Sequence, residues 1–127
     1  MLKQLLFVAL GGGIGSSFRY LVSLWFSKHS SFIFPWGTFV INITGCFLIG
    51  FLMDAISHNV VTNNNLKLLL VVGLCGGYTT FSTFSAENLR LLENGSYVTL
   101  VIYITTSVIL GLLAVWGGYI LSKIIIP

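Results

Sequence analysis

The run Gly76-Gly77-Tyr78-Thr79-Thr80-Phe81-Ser82-Thr83-Phe84-Ser85 stands where an apolar helix ought to continue. Leu66 to Cys75 reads as helix in lipid, and two glycines and a series of hydroxyl side chains follow. Glycine costs roughly 1 kcal/mol in a helix interior, and Ser and Thr are weak helix formers. Broken backbone at membrane depth is tolerated only where protein buries it or where it lines a polar cavity. The run therefore predicts an interrupted span that builds an ion or substrate site. Such a break frees backbone carbonyls, and carbonyl oxygens without side-chain charge suit a small hard cation. Two carbonyls from each of two chains on a two-fold axis would supply four oxygen ligands. Phe81 and Phe84 lie three apart in the same run. Their alternatives are ordinary packing, or ring edges, which are positive, turned towards an anion.

Neutral polar groups line up on two other segments. Thr38 and Asn42 are four apart with Gly45 on the same helix face, and Tyr103 and Ser107 are four apart with Gly111 next along. Thr99 extends the second stripe and Thr106 adjoins it. Backbone bonding one turn earlier explains any single Ser or Thr, and an Asn can join two helices. Two stripes beside a broken helix instead describe a donor-rich path without formal charge, which binds an anion weakly enough to release it. Arg19 either snorkels to the interface or makes a positive vestibule. His29, His58, Asp54, Glu87 and Glu93 are expected at loops or towards span ends, and no Ser-His-Asp or Cys-His arrangement is readable, so no enzyme is expected. The lack of a mid-membrane acid argues against proton-coupled pumping.

The elements that hold these residues follow from composition. Of 127 residues, 56% are hydrophobic and only 7% charged, against about 25% charged in soluble domains. An integral membrane protein is implied. A span needs about 20 apolar residues, and the chain divides into four: residues 3–26, 34–56, 66–93 with a break near 76–82, and 97–121. Together they form a single all-α domain, 1–127. The first segment resembles a signal peptide in its one Lys and apolar run, but Gly11 to Tyr20 offers no convincing cleavage site, so it is expected to be a retained span. Cys46 and Cys75 fall inside spans without metal-ligand spacing and read as small buried residues. The net charge of +3 comes from scattered basic residues, which makes no nucleic-acid footprint.

Four spans put both termini on one side, with Lys3, Lys67 and Lys123; the other side holds Arg19, Lys28 and Arg90. Cytoplasmic loops normally carry the excess of Lys and Arg, and here there is none. Either the bias is weak by chance, or copies insert both ways and pair antiparallel. Two-fold dimers are the commonest oligomer, and four helices are few to enclose a polar path. Gly11 and Gly15, and Gly73 and Gly77, are spaced for close helix approach, within the chain or across a dimer seam.

At these residues the chain resembles the Fluc, or CrcB, family of fluoride channels over essentially its whole length. The matching elements are Gly12-Gly13-x-Gly15…Arg19-Tyr20, Gly37-Thr38…Asn42-x-x-Gly45-Cys46 and above all Gly76-Gly77-Tyr78-Thr79-Thr80-Phe81-Ser82-Thr83-Phe84. Gly111 departs, standing where some members carry a second hydroxyl. The resemblance implies an antiparallel, dual-topology homodimer in the cell (inner) membrane, with two fluoride pathways. It implies a structural sodium ion on the dimer axis, held by the carbonyls of Gly76 and Thr79. It makes Phe81 and Phe84 the aromatic pair and Asn42 and Ser107 hydrogen-bonding groups, with Thr38, Thr80, Ser82 and Tyr103 as further carry-overs. The implied function is passive fluoride export, which lowers toxicity. The alternatives are a small dual-topology multidrug exporter, which needs an acid in its first span where this chain has none, and a non-transporting membrane subunit.

Overall fold

The computed structural model describes residues 1–127 and is entirely helical outside its short loops. Helix α1 spans Leu2–His29 and α2 spans Trp36–Ser57. The third membrane segment is composite: α3 at Asn64–Lys67, a π-helical stretch at Leu68–Cys75, α4 at Gly76–Tyr78, and α5 at Phe81–Glu93. Helix α6 spans Tyr97–Ile125. Four helical stretches, Leu2–His29, Trp36–Ser57, Asn64–Glu93 and Tyr97–Ile125, are long and apolar enough to cross a membrane.

The ends follow local chemistry. Helix α1 runs past Phe26 because Lys28 and His29 sit favourably at the negative end of its dipole, and the His29 ring lies 2.8 Å from the Trp25 carbonyl. Pro35 sits just before α2, as its N-cap residue. Asn63 caps α3, its side chain accepting from the backbone N–H groups of Asn65 and Leu66. The α2–α3 loop turns at Asn59 and the α5–α6 loop at Gly95, both with positive φ.

The helices pack as two parallel pairs. Contacts advance together along α1 and the third segment: Gly11 lies against Leu69, Gly73 and Leu74, and Gly15 against Leu74 and Tyr78. They also advance together along α2 and α6, from Cys46 at Gly111 to Phe51 at Gly118. Helix α2 also touches α1, the π-helical stretch, α4 and α5, and so joins the pairs. In lipid no hydrophobic force draws helices together, so close backbone approach must do so. Gly11 and Gly15 allow it, since a Cβ at either would collide with backbone of the third segment. The glycine spacing therefore builds a seam inside the chain.

Residues Gly76 and Gly77 do not unwind. They are helical, and the helix parts at Thr79 (φ −76°, ψ 155°) and Thr80 (φ −149°, ψ 118°), both extended. Gly77 serves packing instead: a Cβ there would lie 2.5 Å from the Gly12 carbonyl. Thr is β-branched, fits extended backbone better than helix, and can cap the helix that follows. Thr80 does so, its Oγ1 accepting from the Thr83 N–H at 3.3 Å. The eight-residue π-helical stretch precedes the break, and π segments inside helices are frequent at functional sites.

The seam predicts unequal effects of adding one methyl group. Gly15→Ala should cost about 1–3 kcal/mol by overpacking. Gly13→Ala, where a Cβ meets nothing within 4 Å, should leave stability unchanged or raise it by up to about 1 kcal/mol. Thermal unfolding of both variants in detergent measures the difference.

Candidate functional site

The site starts from one amide. Asn42, on α2, donates from Nδ2 to the Thr80 carbonyl at 3.0 Å and accepts at Oδ1 from the Thr80 N–H at 2.8 Å. Thr80 is only 7% exposed. Both backbone groups orphaned by the break are thus satisfied by one side chain, and the second Nδ2 hydrogen stays free. Gly45, one turn further along α2, lets Thr79 pack against it; a Cβ there would collide with the Thr79 methyl.

Other carbonyls at the break lose their ladder partners. In a continuous helix, Gly76 would receive the Thr80 N–H, which goes to Asn42, and Thr79 would receive the Thr83 N–H, which goes to the Thr80 hydroxyl. Thr79 itself donates back, N–H and Oγ1 both, to the Cys75 carbonyl. Gly76 faces open space, with nothing within 4 Å of a Cβ. Hard carbonyl oxygens without helical donors fit a small monovalent cation.

A groove of about 450 Å³ runs beside the break. Asn42, Gly76, Thr79, Thr80, Phe81, Phe84 and Ser107 line it, so α2, the broken segment and α6 all contribute. No charged side chain is in the lining. The Ser107 Oγ is buried without a hydrogen-bond partner. The Phe81 and Phe84 rings stand 5.8 Å apart at an interplanar angle of 40°, and Phe81 is 79% exposed. Gly111 packs against Cys46, whose sulfur lies 3.6 Å from the site of a Cβ.

Thr38 and Tyr103 meet elsewhere. Thr38 Oγ1 donates to Glu87 Oε1, and the Tyr103 hydroxyl donates to Glu87 Oε2 at 3.0 Å. Tyr103 is fully buried between the Phe84 ring at 4.9 Å and the Phe34 ring at 5.2 Å. Glu87 does lie towards the end of its segment, but its carboxylate turns into the bundle. The reading of every acid as peripheral is corrected here. Its sequence signal was weak: Glu87 falls four residues after Thr83, on the face that continues the hydroxyl run. Asp54 also turns inward, 2% exposed with His58 at 3.6 Å, at the C-terminal end of α2 and away from the groove.

Thr80 carries the hydroxyl run on from the groove to its neighbours in α5. Its Oγ1 donates to Thr83 Oγ1 at 3.1 Å and lies 3.4 Å from the exposed Ser82 Oγ. Ser82 is not in the groove lining, and neither is Arg19. Because α1 continues to His29, Arg19 stands nearly three turns, about 15 Å, inside its end. Thr99 and Thr106 leave the Tyr103–Ser107 stripe for a separate apolar groove with Phe32, Phe34 and Trp36, and Thr106 bonds back to the Ile102 carbonyl at 2.6 Å.

An interrupted span with an uncharged polar groove, among four apolar helices, defines a multi-pass membrane protein built to pass or hold a small ion. The family model described as CrcB-like protein, Camphor Resistance (CrcB), matches residues 6–119, and the chain belongs to that family. A relative from Flavobacterium psychrophilum is 46% identical over 96% of this chain and 98% of its own. One from Phocaeicola vulgatus is 47% identical over 96% of this chain and 100% of its own, and one from Rhizobium meliloti 43% identical over 96% and 98%. All three are named fluoride-specific ion channel FluC.

The Asn42 clamp predicts a stability loss out of proportion to its size. Asn42→Leu leaves the Thr80 N–H and carbonyl unpaired, and each unsatisfied buried group costs about 1–3 kcal/mol. Melting in detergent should therefore show a loss of about 2 kcal/mol or more. A loss below about 0.5 kcal/mol, the level of a neutral surface change, would mean the break does not need the amide.

Proposed function

We propose that this chain is the subunit of a fluoride-selective channel that lets the anion leave the cell down its gradient, lowering cytoplasmic fluoride and its toxicity. The observation that carries the reading is the groove itself: two phenyl rings at its lip, hydroxyl and amide donors along its wall, and no formal charge. The names of the relatives supply the ion.

Fluoride is small, binds water tightly and accepts short hydrogen bonds. The free Asn42 N–H and the unpartnered Ser107 hydroxyl replace part of its hydration, and the Phe81 and Phe84 ring edges add a weak positive field. A lysine in their place would hold the ion; neutral donors let it go, as conduction requires. The Thr38 and Tyr103 hydroxyls are bound to Glu87, so they serve a passing anion only when that carboxylate turns away.

The working unit is an antiparallel homodimer of dual topology. Support comes from the even split of basic residues between the two sides. It comes also from Phe81, which is mostly exposed on a single chain although it lines the groove. On the two-fold axis the carbonyls of Gly76 and Thr79 from both copies would hold a structural sodium ion. Bound there, sodium supplies a fixed positive charge that ties the two breaks together. Arg19, away from the groove within one chain, would act as a vestibule charge only through the assembled dimer.

Purified protein in liposomes should show electrogenic fluoride efflux without a proton gradient. An aromatic contribution of about 0.5–1.5 kcal/mol predicts that Phe81→Ile and Phe84→Ile each lower that flux by roughly two- to tenfold, with dimers unchanged on gel filtration. Normal flux in both variants would remove the rings from the path. Lysines replacing Asn63, Asn64 and Asn65 should force one orientation and abolish flux; full activity from uniformly oriented chains would refute the antiparallel pair.

A further inference from the structure

The far end of the α2–α6 seam holds polar groups that the groove does not use. Asp54 stands one turn beyond Gly50 on α2, and Ser122 one turn beyond Gly118 on α6, the two glycines at which these helices meet. Both residues are closed off from solvent, at 2% and 0% exposure. The Asp54 Oδ2 and the Ser122 Oγ are each buried without a hydrogen-bond partner. His58 follows Asp54 by four residues, and its side chain is 41% exposed, so one edge of the cluster is open.

The separation of two of these groups is informative. His58 Nε2 lies 3.6 Å from Asp54 Oδ1. That is too long for a hydrogen bond, and a charge-assisted one would close to about 2.7–2.9 Å. Zinc binds imidazole nitrogen and carboxylate oxygen at about 2.0–2.2 Å, so neighbouring donors around a tetrahedral ion stand about 3.4 Å apart. Intact backbone holds the pair near that separation. The His58 N–H donates to the Asp54 carbonyl at 3.0 Å, and the Ser57 hydroxyl donates to the same carbonyl at 2.7 Å. Asp54 has no other ionic contact, and Lys123, the residue after Ser122, turns its Nζ over the Tyr119 ring at 4.5 Å. An ionised carboxylate buried with one oxygen unpaired is costly, and a bound cation lowers that cost.

We propose that Asp54 and His58 form a site for a divalent transition cation of the zinc type, one per chain, at the C-terminal end of α2. The imidazole Nε2 and one carboxylate oxygen are the two protein ligands, and water completes the tetrahedron on the open side. Imidazole with carboxylate suits Zn²⁺, whereas Mg²⁺ takes oxygen ligands. The second carboxylate oxygen is left for an outer-shell donor of the kind that orients ligating groups. Ser122 is the buried, unpartnered hydroxyl on the facing stripe of α6. The ion thus fastens the last turn of α2 where the loop departs through Asn59. Neither Asp54 nor His58 lines the groove, so the site stands apart from whatever ion the groove passes.

The test is calorimetric titration of zinc chloride into the full chain in detergent, with melting followed in parallel. One ion should bind per chain, and excess zinc should raise the melting temperature, because a ligand held only by the folded state stabilises it. Magnesium chloride should do neither. Asp54→Asn and His58→Ala should each abolish both effects; the half-exposed His58 position keeps the test open if the buried Asp54 variant fails to fold. Ser122→Ala should weaken zinc affinity about tenfold or more, as loss of an outer-shell partner does. His29→Ala, on another helix, should leave binding intact. No zinc bound by the unmodified chain would reduce Asp54 and His58 to a plain ion pair. Binding that survives His58→Ala would place the ion at His29 or the thiols, and either result overturns the site.

Discussion

One side chain makes the rest of this structure possible. The Asn42 amide closes two hydrogen bonds on the backbone of Thr80, which is the residue that a continuous helix would have satisfied and a broken one cannot. In lipid there is no water to take those groups. With the clamp in place, Thr79 and Thr80 can stay extended, α5 can leave on its own axis with Thr80 as cap, and the carbonyls of Gly76 and Thr79 are released from the helical ladder. The groove, the exposed ring of Phe81 and the hydroxyl pair all derive from that local change of direction.

Close packing holds the clamp to its target. The third segment sits on α1 through Gly11 and Gly15, and Thr79 sits on α2 through Gly45. Side chains at those points would push the segments apart by more than a hydrogen bond allows. The glycines therefore act on the site at a distance, by setting how near the donor and acceptor helices come.

Charge is kept out of the groove and placed beside it. The lining has hydroxyls, an amide and ring edges, while the inward carboxylate of Glu87 lies behind Thr38 and Tyr103. A buried carboxylate needs donors, and these two supply them. The same hydroxyls are thereby withdrawn from any anion as long as the contact lasts.

Composition alone determined that four apolar helices cross a membrane, because a chain with 7% charged residues has no other way to cover its surface. The run from Gly76 to Ser85 also announced an interruption, since hydroxyls and glycines oppose an apolar helix locally. Its location was legible only to within a turn: propensity pointed to the glycines, and packing against Gly12 kept Gly77 helical while the interruption fell at Thr79 and Thr80. The pairing of Asn42 with Thr80 joins residues 38 apart, and the inward turn of Glu87 depends on hydroxyls from two other helices. Periodicity records which face of a helix a residue occupies; only the tertiary structure decides which face of which neighbour it meets, because that is set by the distance and angle at which the helices pack.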